Sequence, residues 1–299
     1  MAAAAGFRQH DRAGVRRCRG YGRAVRRFLR VLAGFVALVV VLAIWGYLNA
    51  RADPVVRRTT VTLPDWPAGQ APIHVLLMSD VHFGNATMDA PRLSRIVAQA
   101  NALKPDLTLI AGDFVAGHDP DDAVRFANAF VTPLSGLHAR LGVVATLGNH
   151  DQATRPGAIR AALMRARITV LMNDAASRGP LAIAGLDDGP TGNQDMPLTL
   201  AALARQKGAR IALTHSPVTA GPLPADIGLL LVGHTHCGQV VLPLYGPIKP
   251  QAPAPYNCGL VRVGGLTTII TAGLGTSVVP FRFGAPPDMW LITLGPAAR

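Results

Sequence analysis

The chain has 299 residues, 49% of them hydrophobic, enough to fill one large core, and it shows no internal repeats. Its formal net charge of +12 is concentrated at one end: residues 1–30 hold nine arginines against the single acid Asp11, whereas residues 53–299 carry 19 basic and 16 acidic side chains. The basic balance is therefore a property of the N-terminal segment, and with no basic stripe interleaved with aromatics in the rest, no nucleic-acid partner is expected.

All 17 acidic residues are aspartate, which excludes the H-E-x-x-H metalloproteases and any glycosidase relying on glutamate. Gly-Lys-Ser/Thr is absent, and Ser216 lacks the G-x-S-x-G turn of an esterase nucleophile.

In chain order, the arginine-rich segment is followed by 20 uncharged residues, Val31 to Ala50, dense in Val, Leu and Ala. Twenty helical residues span about 30 Å, the thickness of a bilayer's hydrocarbon core. Trp45 and Tyr47 sit where an interfacial aromatic belt would be. Arg26-Arg27-Phe28-Leu29-Arg30 resembles a twin-arginine export signal and Ala50-Arg51-Ala52 a cleavage site. The apolar run is longer than the roughly 7–15 residues of a cleaved signal core, so an uncleaved signal-anchor is expected. Only Arg51, Arg57 and Arg58 lie close behind the run. The positive-inside bias then keeps the N-terminus cytoplasmic and sends the domain across the membrane, to the periplasmic side. The expected organisation is a basic cytoplasmic tail over 1–30, a transmembrane segment over 31–50, a linker over 51–72 marked by Pro54, Pro64, Pro67 and Pro72, and one domain over 73–299.

Within that domain five apolar, β-branched runs read as buried strands: Ile73 to Ser79, Leu107 to Ala111, Val143 to Leu147, Ile211 to Thr214 and Ile227 to Val232. Each is followed at once by a polar motif: Asp80-Val81-His82, Gly112-Asp113, Gly148-Asn149-His150-Asp151, His215 before Ser216, and Gly233-His234-Thr235-His236. The carboxyl ends of neighbouring strands in an α/β sheet share one crevice, so the motifs are expected to converge. Five of the nine histidines lie at these strand ends; His10, His74, His118 and His138 have no such setting. Asp80, His82, Asp113, Asn149, His150, His215, His234 and His236 together describe a metal site with enough donors for two ions. Mixed oxygen and nitrogen donors without thiolate suit manganese, iron or zinc rather than calcium or magnesium.

Helical patterns fill the gaps: Ala90 to Leu103 behind Asp89 as N-cap, Asp121 to Leu137 with an interruption expected at Pro133, Gly157 to Arg167, and Leu198 to Lys207. After residue 238 short strands between Gly and Pro take over.

The five blocks, in this order, resemble the calcineurin-like metallophosphoesterases, whose signature runs D-x-H, G-D, G-N-H-[DE], H, G-H-x-H. Gly238-Gln239-Val240, Gly273-Leu274-Gly275-Thr276-Ser277, Phe281-Arg282-Phe283-Gly284 and Pro286-Pro287-Asp288 resemble the membrane-anchored bacterial branch, extending the match to roughly residues 72–295. The resemblance implies an α/β fold: a four-layer αββα sandwich, two sheets with helices on both outer faces, here preceded by the transmembrane helix.

It also implies a ligand set. Asp113 bridges two divalent ions, one held by Asp80, His82 and His236 and the other by Asn149, His215 and His234. His150 is then a non-ligand that protonates the leaving-group oxygen or only hydrogen-bonds phosphate, and Asp151 supports the loop. Relatives often carry G-D-x-V-D where this chain has Gly112-Asp113-Phe114-Val115-Ala116. Ala116 thus removes a carboxylate that would orient the catalytic histidine.

The implied activity is hydrolysis of a phosphodiester or pyrophosphate bond by attack of metal-bound hydroxide. The substrate is expected at the membrane: a lipid-linked compound of the UDP-2,3-diacylglucosamine type fits the anchor. Alternatives are a tethered phosphodiesterase or nuclease acting on soluble substrates, and a non-catalytic scaffold, against which no ligand position is vacant. No obligate protein partner is evident. Cys18 lies in the basic tail; Cys237 and Cys258 could pair in an oxidising compartment, but are expected to stay unpaired.

Overall fold

The computed structural model describes residues 10–117, 119–219 and 222–297. His118 and the first nine residues of the basic segment lie outside it, as do the side chains of His10 and Cys18. The chain divides into two units, one ending at Trp45 and the other beginning at Gly46. Helix α1 runs over His10–Arg51, so helix begins inside the segment read as a tail. Within it Val25–Arg51 is long and apolar enough to cross a membrane.

From Gly46 onward the chain builds two six-stranded sheets. The strands of the first are β1 (Val55–Leu63), β2 (Ile73–Met78), β3 (Leu107–Ala111), β4 (Val143–Thr146), β5 (Ile168–Val170) and, from the far end of the chain, β14 (Asp288–Pro296). Their order is β1-β14-β2-β3-β4-β5. The second comprises β6 (Asp174–Arg178), β7 (Leu181–Gly185), β8 (Ala209–Leu213), β9 (Leu229–Val232), β12 (Gly259–Val263) and β13 (Leu266–Ile270), in the order β12-β13-β9-β8-β7-β6. β10 (Val241–Leu242) and β11 (Gly246–Pro247) form a small separate ribbon.

Strands β2, β3, β4 and β5 pair in parallel, as do β7, β8, β9 and β13. Parallel strands are covered on both faces, which explains their unbroken apolar runs. In β3 every residue is buried: Leu107, Leu109 and Ala111 face the layer between the sheets, and Ile110 faces the outer layer. Helices α2 (Ala90–Ala102), α3 (Pro120–Leu134) and α5 (Pro156–Arg165) cover the outer face of the first sheet. Helix α6 (Met196–Leu203) covers the second, and α4 (Asn149–Gln152) is a single turn after β4. The layers are α, β, β, α, as the resemblance implies. In a chain without glutamate, N-capping falls to aspartate: Asp89, Asp119 and Asp195 each accept backbone N–H groups of the helices they precede.

Three expectations need correction. The segment 51–72 is not a linker, because Val55–Leu63 is a nine-residue strand pairing in parallel with β14 along its whole length. Its prolines mislead, since Pro54 and Pro64 bracket the β-branched run Val-Val-Arg-Arg-Thr-Thr-Val-Thr-Leu rather than interrupt it. Pro133 does not break α3; it occupies the last turn, and the helix ends one residue later. Cys237 and Cys258 are joined in a disulfide, their Cα atoms 4.6 Å apart. They are 21 positions apart in sequence, but the chain after β9 loops out and returns to β12, which starts at the edge of the sheet where β9 and β13 end.

Candidate metal centre

All five motifs lie where β2, β3, β4, β8 and β9 end, and the turns out of those strands are unusual. Asp80, His82, Asp113, His234 and His236 all have positive φ, between 47° and 67°. Left-handed backbone at non-glycine residues costs on the order of 1–3 kcal/mol each and persists where the surroundings over-determine it. Those surroundings are visible: a Cβ on Gly148 would collide with the Asp113 carboxylate and the His215 ring, and one on Gly233 with Ser79 and Asp80. The glycines of the motifs let the polar ends of the strands approach one another.

Two clusters of donor atoms result. In the first, His236 Nε2 lies 3.3 Å and His82 Nε2 3.7 Å from Asp80 Oδ1, and the two ring nitrogens are 3.1 Å apart. In the second, Asn149 Oδ1 is 3.1 Å from His215 Nε2 and 3.0 Å from His234 Nδ1, with those nitrogens 3.2 Å apart. Asp113 Oδ2 belongs to both, 3.5 Å from His82 Nε2 and 3.2 Å from His215 Nε2. Donors about 2.0–2.2 Å from one metal ion stand roughly 3–3.5 Å from each other, which is the spacing seen here.

The hydrogen bonds indicate which lone pairs remain for a cation. Asp80 Oδ2 accepts from the Ser79 hydroxyl and from His234 N–H at 3.0 Å, while Oδ1, fully buried, has no hydrogen-bond partner. Asp113 Oδ1 accepts from His150 N–H at 2.9 Å, turning Oδ2 toward the histidines. His215 donates from Nδ1 to the Ala111 carbonyl at 2.7 Å, which leaves the lone pair on Nε2. A buried carboxylate oxygen without a donor is costly unless a cation meets it, so these residues fit a metal.

The electrostatics agree. Burial opposes ionisation of Asp80 and Asp113, yet the surrounding histidines hold both well below the usual carboxylate range. His215 is pushed up to about 10 because Asp113 outweighs burial. Burial holds His236 well below its ordinary value, and burial with the neighbouring His215 lowers His234, which favours the neutral imidazoles that ligate metals. The field of the two aspartates favours added positive charge here: His215 takes a proton in answer to it, while His234 and His236 stay neutral.

His150 is half-buried and stands edge-on to the His82 ring, with centroids 4.8 Å apart. It also has a donor atom close enough to His82 and Asp113 to share a metal with them. Its Nδ1 pairs with the Gly117 carbonyl at 3.0 Å. A backbone carbonyl one residue past Ala116 therefore orients this ring, where relatives often carry an aspartate. Asp151 accepts from the N–H groups of Gly148, Phe114 and Val115, tying two motif loops together. Burial, then the nearby Asp113 charge, push its carboxyl up to about 7.

One residue that sequence reasoning quoted without a role is Arg282. It is fully buried, and its guanidinium donates to the carbonyls of Ala272, Gly275 and Ala285 at 2.7, 2.6 and 2.9 Å, with Nη2 3.3 Å from His236 Nδ1. Its only sequence signal is the Phe-Arg-Phe-Gly block.

Comparison with known proteins places this geometry. The calcineurin-like phosphoesterase family matches residues 73–238. The metallophosphoesterase YkuE of Bacillus subtilis is 32% identical over 90% of this chain and 96% of its own length. The phosphodiesterase YaeI of Escherichia coli is 29% identical over 90% of this chain and 98% of its own. A zebrafish transmembrane protein with a metallophosphoesterase domain is 30% identical over 87% of this chain, which spans only 62% of that longer protein. Motif order, sandwich and donor clusters agree with these matches: the chain belongs to the calcineurin-like phosphoesterase family.

Proposed function

We propose that this chain is a membrane-anchored, two-metal phosphodiesterase that cleaves a phosphodiester or pyrophosphate bond, with a lipid-linked compound as substrate. The observation that carries the reading is the sharing of Asp113 Oδ2 between two donor clusters, beside the unpartnered Oδ1 of Asp80. Asp80, His82 and His236 would hold one ion and Asn149, His215 and His234 the other, with Asp113 offering a donor to both. Two divalent ions bound there neutralise the charge of the transferring phosphoryl group and lower the pKa of water.

The chain's own residues do the remainder. Asp80, His82, Asp113, His215 and His236 are buried, whereas Asn149, His150 and His234 are half-buried, so substrate approaches over His150. The Gly117 carbonyl accepts the Nδ1–H of His150, so the proton that the imidazolium form gives to the departing oxygen comes from Nε2. A general acid is worth about 10²–10⁴ in rate. His150→Asn is therefore expected to keep two metals per chain and to lose about a hundredfold or more on alkyl leaving groups, with a much smaller loss on p-nitrophenol. Equal losses across leaving groups would make His150 a phosphate-binding residue, and loss of a metal would make it a ligand.

The orientation proposed is N-terminus cytoplasmic and domain periplasmic. The arginine asymmetry supports it, and so does the Cys237–Cys258 disulfide, because such bonds persist in oxidising compartments. It weighs against UDP-diacylglucosamine itself, since nucleotide-linked lipid precursors are met on the cytoplasmic face. An alkaline phosphatase fusion after Arg58 is expected to be active; an inactive but membrane-bound fusion would reverse the orientation.

A further inference from the structure

Among the described residues from Gly46 onward, thirteen large hydrophobic side chains are exposed, and six crowd two loops: Leu242, Leu244, Tyr245 and Ile248 on one, Val278 and Val279 on the other. These loops are not loose. The Gln239 side chain donates to the carbonyls of Ser277 and Val279 at 3.0 and 2.8 Å and accepts from Ser277 N–H at 2.9 Å. The fastening presents Val278 outward, 94% exposed. Leu244 and Val278 have φ of 65° and 64°, and for a β-branched residue such a value is a conformational outlier. Strain spent on projecting apolar side chains into water has no stabilising return in the folded chain, and points to a ligand or surface that meets them.

Between the loops lies a cavity of about 250 Å³ lined by His236, Val240, Ile248, Lys249, Val278 and Val279. It is smaller than the roughly 300–1,000 Å³ of sites for whole drug-sized ligands, and an apolar chain suits it better than a nucleoside. His236, from the metal centre, and the cation Lys249 are both among its lining residues.

Within the domain, the rim also lies close to its first residues, Gly46 and Asn49. Val241 N–H donates to the Phe283 carbonyl at 2.8 Å, Arg282 N–H to the Gly46 carbonyl at 3.0 Å, and Asn49 to the Arg282 carbonyl at 2.9 Å. Gly46 packs so closely on the Phe283 ring that a Cβ there would collide. The loop carrying Leu242 and Leu244 is thus two hydrogen-bonded neighbours, roughly 10 Å, from Gly46, where the domain begins. Tyr245, apolar with a polar tip, and Lys249, with a long apolar stem, suit the headgroup level of a bilayer.

We propose that the rim rests in the lipid surface that anchors the chain, and that the cavity takes one acyl chain of a membrane phospholipid-like phosphoester, feeding its phosphate to the metal centre. This rests on the phosphodiesterase reading above and names its substrate class.

The test uses the full chain in phosphatidylcholine vesicles and a series of p-nitrophenyl alkyl phosphodiesters from methyl to decyl. KM is expected to fall by roughly twofold per methylene until the cavity is filled, part of the gain from fully burying a CH₂. In Leu244→Asp/Val278→Asp that slope should vanish, while metal content and melting temperature report an intact fold. Leu244→Ser/Val278→Ser, milder in charge, should flatten it in part. A slope that survives in both double variants is mere partitioning into the vesicle, and overturns the proposal. So does a rim that proves to be a contact between two copies, with the Asp variant turning a dimer to monomer and leaving the slope unchanged. Cleavage of every member with one KM would leave the phosphodiesterase reading standing and remove the acyl site; cleavage of none would remove the reading itself.

Discussion

Asp113→Asn is expected to lower phosphodiester hydrolysis by about a thousandfold or more and to reduce bound metal below two per chain, with the fold retained. The direction follows from the two oxygens of this carboxylate. Oδ1 accepts the His150 N–H, and an amide oxygen can keep that bond. Oδ2 faces both His82 Nε2 and His215 Nε2, and an NH₂ group there presents hydrogens where a cation needs a lone pair. Loss of a bridging negative charge removes several kcal/mol of stabilisation of the transferring phosphoryl, and each 1.36 kcal/mol is a factor of ten in rate. Removal of metal with a chelator should produce the same loss in the wild type, reversed by manganese. Activity near wild type in Asp113→Asn would contradict the two-metal account.

The second large effect is on stability. Arg282 is fully buried with no carboxylate in hydrogen-bond contact among the described residues; its donors serve the carbonyls of Ala272, Gly275 and Ala285 within 3 Å and reach those of Gly273 and His236 at 3.3 and 3.5 Å. Burial lowers its pKa to about 10, so it stays charged at neutral pH. Arg282→Met keeps most of the volume but leaves those carbonyls without donors, at about 1–3 kcal/mol for each buried group left unsatisfied. A destabilisation of about 3–5 kcal/mol is expected, a fall in melting temperature of roughly 10 °C for a domain this large. Arg282→Lys should recover only part of it, because an ammonium cannot reproduce the planar fork. Metal affinity should drop as well, since the same guanidinium touches His236. A melting temperature within a degree or two of wild type in Arg282→Met would show that water or repacking satisfies these carbonyls.

The centre was legible in the sequence because each of its parts is local. A buried strand followed by Gly-Asp or Gly-Asn-His leaves a signal within ten residues, and the five strand exits meet as parallel order requires. What could not be read is what depends on distant parts meeting. β1 is a strand because β14, more than 220 residues later, offers it an edge, and prolines at both its ends look like those of a linker. The Cys237–Cys258 bond depends on a loop closing beside β9. The Gly117 carbonyl, which orients His150, has no side chain to announce it. Arg282 looks like any other arginine until five main-chain carbonyls gather around it. The apolar rim, too, is invisible as a pattern, because Leu244 and Val278 lie on separate loops that the Gln239 side chain ties together.

The central claim is that one carboxylate oxygen of Asp113 is shared by two metal ions. Anomalous diffraction from manganese-loaded crystals of the full chain tests it most directly. The account predicts two peaks roughly 3.5–4 Å apart, one among Asp80, His82 and His236 and the other among Asn149, His215 and His234, both in coordination distance of Asp113. A single peak, or two peaks of which only one touches Asp113, would contradict it.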